Sequence, residues 1–208
     1  MTNLSQHFYI NLDNRKERNL QTIQELKKIG IKKPNRVSAI THDIPLIGCA
    51  CSHIKCLEEA KSRKWNYVMI FEDDIVIEGK KTLLKKIDKY IMTEYDVLYL
   101  GVWNVEKPIL CDGGLIDDLI KVTKGLCTHA YIVKEHYYDT LISNLKQGIS
   151  EKLKNDCESN NIDQYLESLQ KRDHWISIYP IHVTQRDGFS DNFNEQRNLS
   201  EIIKKVPI

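Results

Sequence analysis

Short apolar runs alternate with helical stretches along the first half of the chain. Four of these runs are typical of strands: 7–12, 35–40, 67–71 and 95–101. Three intervening stretches place apolar side chains at helical spacing: 13–30, 48–65 and 82–92. The repeated order of strand, helix and strand predicts an α/β domain.

The second half of the chain has a less regular pattern. Five elements are predicted there: strands at 119–123, 127–134 and 174–180, and helices at 135–147 and 161–172. The polar segment at 183–198 is predicted to be irregular. A late polar segment of this kind either folds over a site as a lid or stays mobile.

Three adjacent acids, Glu72, Asp73 and Asp74, directly follow the apolar run at 67–71. In an α/β sheet, ligands bind outside the carboxyl ends of the strands, which places these acids beside a ligand. Carboxylates this close repel one another, and Mn²⁺ or Mg²⁺ would remove that cost while reaching substrate phosphates. The acids therefore predict a cation and phosphate site, with a solvated acidic strand end as the alternative.

The charge balance and the absence of long apolar windows exclude several classes of protein. The 208 residues carry 30 basic and 29 acidic side chains, so neither a general nucleic-acid binder nor an acidic tail is indicated. No window approaches 18 uninterrupted apolar residues, and the first apolar stretch is too short for a signal peptide. We therefore expect a cytoplasmic chain without a membrane span, with most of its six cysteines reduced.

One group of metal-ligand residue types lies along the predicted helix at 48–65. It contains Cys49, Cys51, His53 and Cys56. Their spacing matches no common zinc finger, and three of them share one face of the helix. Core packing is the favoured interpretation, with metal binding or a redox role as alternatives.

Several short motifs occur in the same order as in a known family. They are "YINLDNRKER", "VSAI", "GCACSH", "IFEDD", "GLCTHAYIV", "NIDQYL" and "TQRDGFSDN". Through them the chain resembles glycosyltransferase family 25, which includes bacterial lipooligosaccharide galactosyltransferases and collagen galactosyltransferases. Two features depart from the family pattern. His129 stands where small residues are commoner, and the Glu that often precedes the Gly48 position is missing.

The resemblance implies a GT-A type fold with a central, mixed, mostly parallel sheet flanked by helices. It implies one domain over 1–208, with a nucleotide-binding half at about 1–101 and an acceptor-side half at about 102–208. It also implies inverting transfer of a hexose, galactose or glucose, from a UDP-sugar. The acceptor would be a hydroxyl of a glycan or of a glycosylated or hydroxylated protein, and the cofactor Mn²⁺ or Mg²⁺.

Matching the motifs position by position to the family gives the candidate site residues. Asp74 and Asp191 are candidate metal ligands, and Asp163 is the candidate base for the acceptor hydroxyl. The candidates for donor binding are Asn11, Leu12, Arg15, Arg18, Ala39, Ser52, His53, Glu72, Asp73 and Gln185. Alternatives stay open, because the arginines are also typical of a solvated helix face, His53 of a core and Asp163 of a helix N-cap.

Two other functions compete with glycosyl transfer. One is a nucleotide-binding module that has lost catalysis and acts through a partner, which would bind UDP without turning over a UDP-sugar. The other is a nucleotidyltransferase, which also places acids on metal-bound phosphates. We would expect that class to have a glycine-rich phosphate loop near the first strand, whereas "NLDNRKER" contains no glycine.

Overall fold

The computed structural model describes residues 4–103, 109–110, 118–157 and 160–198. Its strands, in chain order, are β1 His7–Asn11, β2 Arg36–Ser38, β3 Tyr67–Phe71, β4 Ile75–Ile77, β5 Val97–Trp103, β6 Ile109–Leu110, β7 Leu119–Lys121, β8 Leu126–Lys134, β9 Trp175–Ile178, β10 Val183–Gln185, β11 Gly188–Ser190 and β12 Glu195–Arg197. Its helices are α1 Lys16–Lys28, α2 Pro45–Ser62, α3 Lys80–Tyr90, α4 Tyr138–Lys154, α5 Ile162–Tyr165 and α6 Glu167–Arg172.

Eight of these strands form one sheet in the order β2-β1-β3-β8-β5-β9-β7-β6. β8 is antiparallel to both of its neighbours, and so is β7. The remaining pairs are parallel, so six of the eight strands run in one direction. The predicted mixed, mostly parallel sheet is therefore confirmed.

Both faces of the sheet are covered, which explains why the central strands β3 and β5 are buried at every position. In β3, Val68 and Ile70 enter a core that includes side chains of α2 and α4. The alternate residues Met69 and Phe71 enter a second core that includes side chains of α1 and α3. The helices therefore flank the sheet on both sides, as the alternating pattern predicts.

One edge of the sheet collects the ends of three strands. β1, β2 and β3 are mutually parallel in register, so Asn11, Ser38 and Phe71 close the sheet on the same side. β8 runs against them, and its first residues therefore lie at that side too. We call this side the carboxyl edge, and it is where a ligand of an α/β sheet is expected.

Residues 183–198, here called the flap, are more ordered than the sequence pattern indicates. β10 pairs antiparallel with β4, which directly follows the acids, and β11 pairs antiparallel with β12. The prediction of an irregular segment was therefore wrong. These strands are three residues each and largely polar, so they lack the apolar alternation by which strands are recognised.

Two further elements differ from the predictions. β4 was not predicted as a strand, because its residues continue the apolar run that contains the acids. The predicted helix at 161–172 consists of two short helices, α5 and α6, separated at Leu166. The start of α5 contacts β8 at the carboxyl edge through Asp163 and Cys127.

Gly101 in β5 allows the flap to pack against the sheet. A Cβ at this position would clash with the Val183 backbone oxygen of β10 and with the His129 ring. We expect Gly101→Ala to lower the free energy of unfolding by about 1–3 kcal/mol, as overpacking does. Amide hydrogen exchange should accelerate in β4 and β10 more than in β1 and β3. Uniform acceleration over all four strands would contradict a local role for this glycine.

Candidate functional site

A cavity of about 740 Å³ opens at the carboxyl edge, beneath the flap. Small-molecule sites usually occupy roughly 300–1,000 Å³, so a ligand of nucleotide-sugar size is within range. The predicted site residues that line the cavity are Asn11, Leu12, Arg18, Ala39, Ser52, His53, Glu72, Asp73, Asp74, Asp163, Gln185 and Asp191. Arg15 is not among the lining residues, but it contacts one of them, Asp191.

Asp73 is the most fully compensated of the three acids. Its Oδ2 accepts a hydrogen bond from Asn11 Nδ2 at 2.7 Å, and its Oδ1 pairs with Arg18 Nη1 at 2.9 Å. Burial nevertheless raises the pKa of Asp73, against the opposing effect of the Arg18 charge. Both of its oxygens are engaged, so Asp73 works mainly as an anchor between β3 and α1.

Asp74 is much less compensated. Gln185 Nε2 donates to its Oδ2 at 3.1 Å, whereas its Oδ1 is buried and has no hydrogen-bond partner. Burial, together with the charges of Glu72 and Asp73, raises the pKa of Asp74 to about 7. A buried carboxylate oxygen without a donor is costly, which makes Asp74 the acid of this group that most needs a cation or a proton.

Glu72 faces the opposite wall of the cavity. Its Oε1 accepts a hydrogen bond from Thr128 Oγ1 at 2.6 Å and lies 3.4 Å from His53 Nε2. Burial acts to raise the pKa of Glu72, but the His53 ring and the Thr128 hydroxyl outweigh it and the pKa is lowered. Glu72 is thus tied to α2 and β8 rather than left free toward solvent.

Arg15, the N-cap residue of α1, and Arg18, in its first turn, hold the flap. Arg15 makes a forked pair with Asp191, with Nε 3.0 Å from Oδ2 and Nη2 on Oδ1. Arg18 Nη2 donates to the Phe189 carbonyl at 2.6 Å, while its other terminal nitrogen holds Asp73. These contacts show that neither arginine is a free, solvated helix residue, which was the alternative prediction.

Asp163 faces the cavity from the first turn of α5. The N-cap of this helix is Asn161, so the alternative that Asp163 is the cap residue is wrong. Its Oδ2 accepts from the Cys127 backbone N–H at 3.2 Å, and its Oδ1 accepts from that of Gln164 at 2.9 Å. Burial raises the pKa of Asp163 although these two donors oppose it. The result is an oriented carboxylate that is more basic than usual.

Several of the candidates for donor binding make hydrogen bonds to other parts of the protein. Ser52 Oγ donates to Gly48 O at 2.7 Å and accepts from Ile40 N at 2.8 Å, which fixes α2 to the chain after β2. Asn11 also accepts from Arg36 Nε at 2.9 Å. His53 is fully buried, as the core alternative predicts. Contact with a donor at these positions stays a prediction.

The sequence analysis missed some residues that the cavity contains. Trp103 from the end of β5 and Cys127 and Thr128 from the start of β8 all line it. Cys127 has a left-handed backbone with φ of 75°. Opposite Gly101–Trp103, β8 carries two more residues than β5 between the paired positions, so a bulge turns Cys127 and Thr128 toward the acids.

The cysteines show no disulfide in the described ranges, and Cys111 lies outside those ranges. Cys56 is fully buried in the core that includes α2, so its predicted packing role is confirmed. Among the described residues, one group brings three metal-ligand types within 4.8 Å of one another, namely Cys49, His53 and Glu72. That group contains neither Asp74 nor Asp191. Burial raises the pKa of the Cys49 thiol well above its usual value.

Comparison with solved structures identifies the class of fold. A glycosyltransferase involved in the glycosylation of the major capsid of PBCV-1 is 11% identical, with a TM-score of 0.51, covering 82% of this chain and 79% of that chain. A Drosophila beta-1,4-galactosyltransferase 7 complex with manganese, UDP-Gal and xylobiose is 9% identical with a TM-score of 0.40, covering 65% and 50%. A 4-diphosphocytidyl-2C-methyl-D-erythritol synthase from Anaerococcus prevotii is 9% identical with a TM-score of 0.43, covering 95% and 74%. The first of these likenesses confirms a GT-A type fold.

Comparison with protein families then identifies the sequence relationship. Residues 13–108 match the profile of glycosyltransferase family 25 (LPS biosynthesis protein), which confirms the resemblance over that part of the chain. A search of curated proteins gives no match. The family match supports a role in glycosyl transfer. Within the described ranges, every helix is too short or too polar to cross a membrane.

The Arg18–Asp73 pair should matter to stability, because only 11% of the Asp73 side chain is exposed. We expect Arg18→Ala to lower the free energy of unfolding by about 1.5–3 kcal/mol, the range for a hydrogen bond to a charged group. Urea titration of the single variants and of the combination with Asp73→Asn should show non-additive losses.

The matched control is Lys61→Ala. Lys61 pairs with Asp139, but both side chains are more than half exposed, so its loss should cost less than about 1 kcal/mol. Equal losses for Arg18→Ala and Lys61→Ala would show that the buried pair has no special role.

Proposed function

We propose that this chain is a metal-dependent, inverting glycosyltransferase that moves a hexose, galactose or glucose, from a UDP-sugar to a hydroxyl of a glycan or protein. The supporting observation is the composition of one cavity. It contains a carboxylate suited to a cation, an arginine suited to phosphate and a separate oriented carboxylate suited to a base. The family match provides the reaction class. We also propose that 1–208 form one domain, with donor binding in the half before about residue 102.

Asp74 is the residue that we expect to hold the cation. Its Oδ1 is buried without a partner, which fits a missing positive charge at this point. When bound, Mn²⁺ or Mg²⁺ would neutralise the developing charge on the diphosphate leaving group. Asp191 is a weaker candidate, because Arg15 already neutralises it, and as a ligand it would have to leave that pair.

The arginines are expected to bind the donor phosphates. Arg18 already lines the cavity, and its two terminal nitrogens are bonded to Asp73 and to the Phe189 carbonyl. A guanidinium can make a forked, charge-assisted contact with phosphate oxygens. We expect Arg18 to contact the diphosphate and Arg15 to keep the flap closed through Asp191.

Asp163 is expected to accept the proton of the acceptor hydroxyl. In an inverting transfer the base lies on the acceptor side, opposite the leaving group, so it must be a different residue from the one that serves the cation. Asp163 comes from α5 and the acids directly follow β3, so the two roles have different structural supports. The raised pKa makes it a better base than an exposed aspartate.

The alternative is a catalytically inactive nucleotide-binding module that acts through a partner. Such a module would make the same cation and phosphate contacts as the enzyme, but it would not turn over a UDP-sugar. A panel of nucleotide-sugars with Mn²⁺, read as released UDP, distinguishes the two. Release from one or more UDP-sugars is the expected result, whereas UDP binding without release from any of them would favour the inactive module.

The role of Asp74 is tested by Asp74→Asn, which preserves size and removes the charge. We expect UDP affinity in Mn²⁺ to fall by at least about tenfold, equivalent to about 1.4 kcal/mol, and transfer to be lost. Isothermal titration calorimetry with and without Mn²⁺ measures the affinity. The control is Asp139→Asn on the exposed surface, which should change neither quantity. If wild-type protein bound UDP equally with and without metal, the cation site would be rejected.

The role of Asp163 is tested by Asp163→Asn beside Asp163→Glu. We expect the asparagine variant to lower transfer by about 10²–10⁴-fold, the usual range for loss of a general base, with Mn²⁺-dependent UDP affinity nearly unchanged. Asparagine offers one acceptor to the two backbone N–H groups, so the free energy of unfolding is measured as well.

The glutamate variant keeps the carboxylate and should retain more transfer activity than the asparagine variant. An asparagine variant with activity within tenfold of wild type would remove Asp163 from the reaction, whatever its effect on stability.

A further inference from the structure

A group of side chains on the cavity wall remains outside the proposed reaction. Cys49 and His53 lie one helical turn apart on α2, and Glu72 follows β3 opposite them. One ligand atom from each residue lies within 4.8 Å of the other two. An i, i+4 pair on a helix with a third ligand from another element is a common way to hold a metal ion.

The contacts of His53 provide an independent reason to expect a ligand here. The residue is fully buried, its Nδ1 lies 2.8 Å from the Tyr131 hydroxyl, and its Nε2 has no hydrogen-bond partner. Nε2 lies 3.4 Å from Glu72 Oε1. With Nδ1–H donating to Tyr131, Nε2 presents a lone pair there, whereas a proton on Nε2 is the arrangement in which the His53 ring lowers the Glu72 pKa. Two acceptors that face each other repel, unless a proton or a cation lies between them.

The chemistry of the three ligands differs from that of Asp74. Thiolate, imidazole and carboxylate together suit Zn²⁺ or Co²⁺, whereas Mn²⁺ and Mg²⁺ prefer oxygen ligands. Two of the three ligands already have a hydrogen-bond partner that orients them, as the ligands of metal sites usually do. The Tyr131 hydroxyl contacts His53 Nδ1, and Thr128 Oγ1 donates to Glu72 Oε1 at 2.6 Å. Three protein ligands leave a fourth position for water or a substrate atom.

We propose that Cys49, His53 and Glu72 form a second cation site, selective for a thiophilic divalent ion such as Zn²⁺, on the wall of the cavity. It is separate from the cation expected at Asp74 and does not depend on the proposed transfer reaction. Because Glu72 belongs to the same acid cluster as Asp74, the two sites are close neighbours. Binding deprotonates the Cys49 thiol, so it releases a proton.

Metal-free, full-length protein titrated with Co²⁺ tests the proposal directly. Wild-type protein should develop a thiolate-to-cobalt charge-transfer band and the visible bands of a tetrahedral site, and an excess of Mn²⁺ should not remove them. Cys49→Ser should abolish the charge-transfer band. The matched control is Cys51→Ser on the same helix, whose side chain is outside the group and should leave the band intact.

A second pair of variants tests the site without removing a ligand from the core. Tyr131→Phe keeps the ring and removes the hydroxyl, and it should weaken Zn²⁺ binding by about 10–100-fold, as the loss of an outer partner does. Asp74→Asn should leave the cobalt spectrum unchanged. Circular dichroism confirms that each variant is folded.

Three results would overturn the proposal. Wild-type protein without a charge-transfer band would show that a proton, not a metal, lies between His53 and Glu72. Loss of the band in Cys51→Ser would move the site to another thiol. Loss of the visible bands in Asp74→Asn would place the cobalt on the acid cluster instead.

Discussion

The partial burial of three adjacent carboxylates after β3 is the constraint on which the site depends. Negative charge in a low-dielectric environment is costly unless donors or cations surround it. Each acid is met by a different part of the chain. α1 and β1 reach Asp73, β8 and α2 reach Glu72, and the flap reaches Asp74 through Gln185. The acids therefore link α1, α2, β1, β8 and the flap to one another at the cavity.

The three acids differ in how far hydrogen-bond donors and positive charges offset their negative charge. This difference is the main support for the proposed function. Both oxygens of Asp73 are bonded, and the pKa of Glu72 is lowered by its neighbours. Asp74 alone keeps a buried oxygen without a donor and has a pKa of about 7. A cluster that only stabilised the fold would be expected to satisfy every oxygen. The buried Asp74 oxygen without a partner is therefore the observation on which the proposed cation site rests.

The sequence was informative where burial imposes a regular pattern. β3 was predicted with its observed bounds because all five of its residues are buried, and the acids follow at a position that only an edge explains. Cys127 and Thr128 were missed because they reach the cavity through a bulge and through the reversed direction of β8, neither of which has a local pattern. The flap strands were missed for a related reason, since long-range contacts define them: β10 pairs with β4 and packs on Gly101, and β11 pairs with β12.

Arg15 and Arg18, at the N-terminal end of α1, link the flap to the ligand proposed for the cavity. Arg15 already makes a forked contact with Asp191, and Arg18 divides its terminal nitrogens between Asp73 and the Phe189 carbonyl. A forked contact occupies both donors, so a diphosphate near the acids competes for the same nitrogens. Under the proposed function, binding of the donor would then replace some of the present hydrogen-bond partners of these arginines. The position of the flap and the affinity for the donor would therefore both depend on the same competition, between the donor phosphates and the present partners of Arg15 and Arg18.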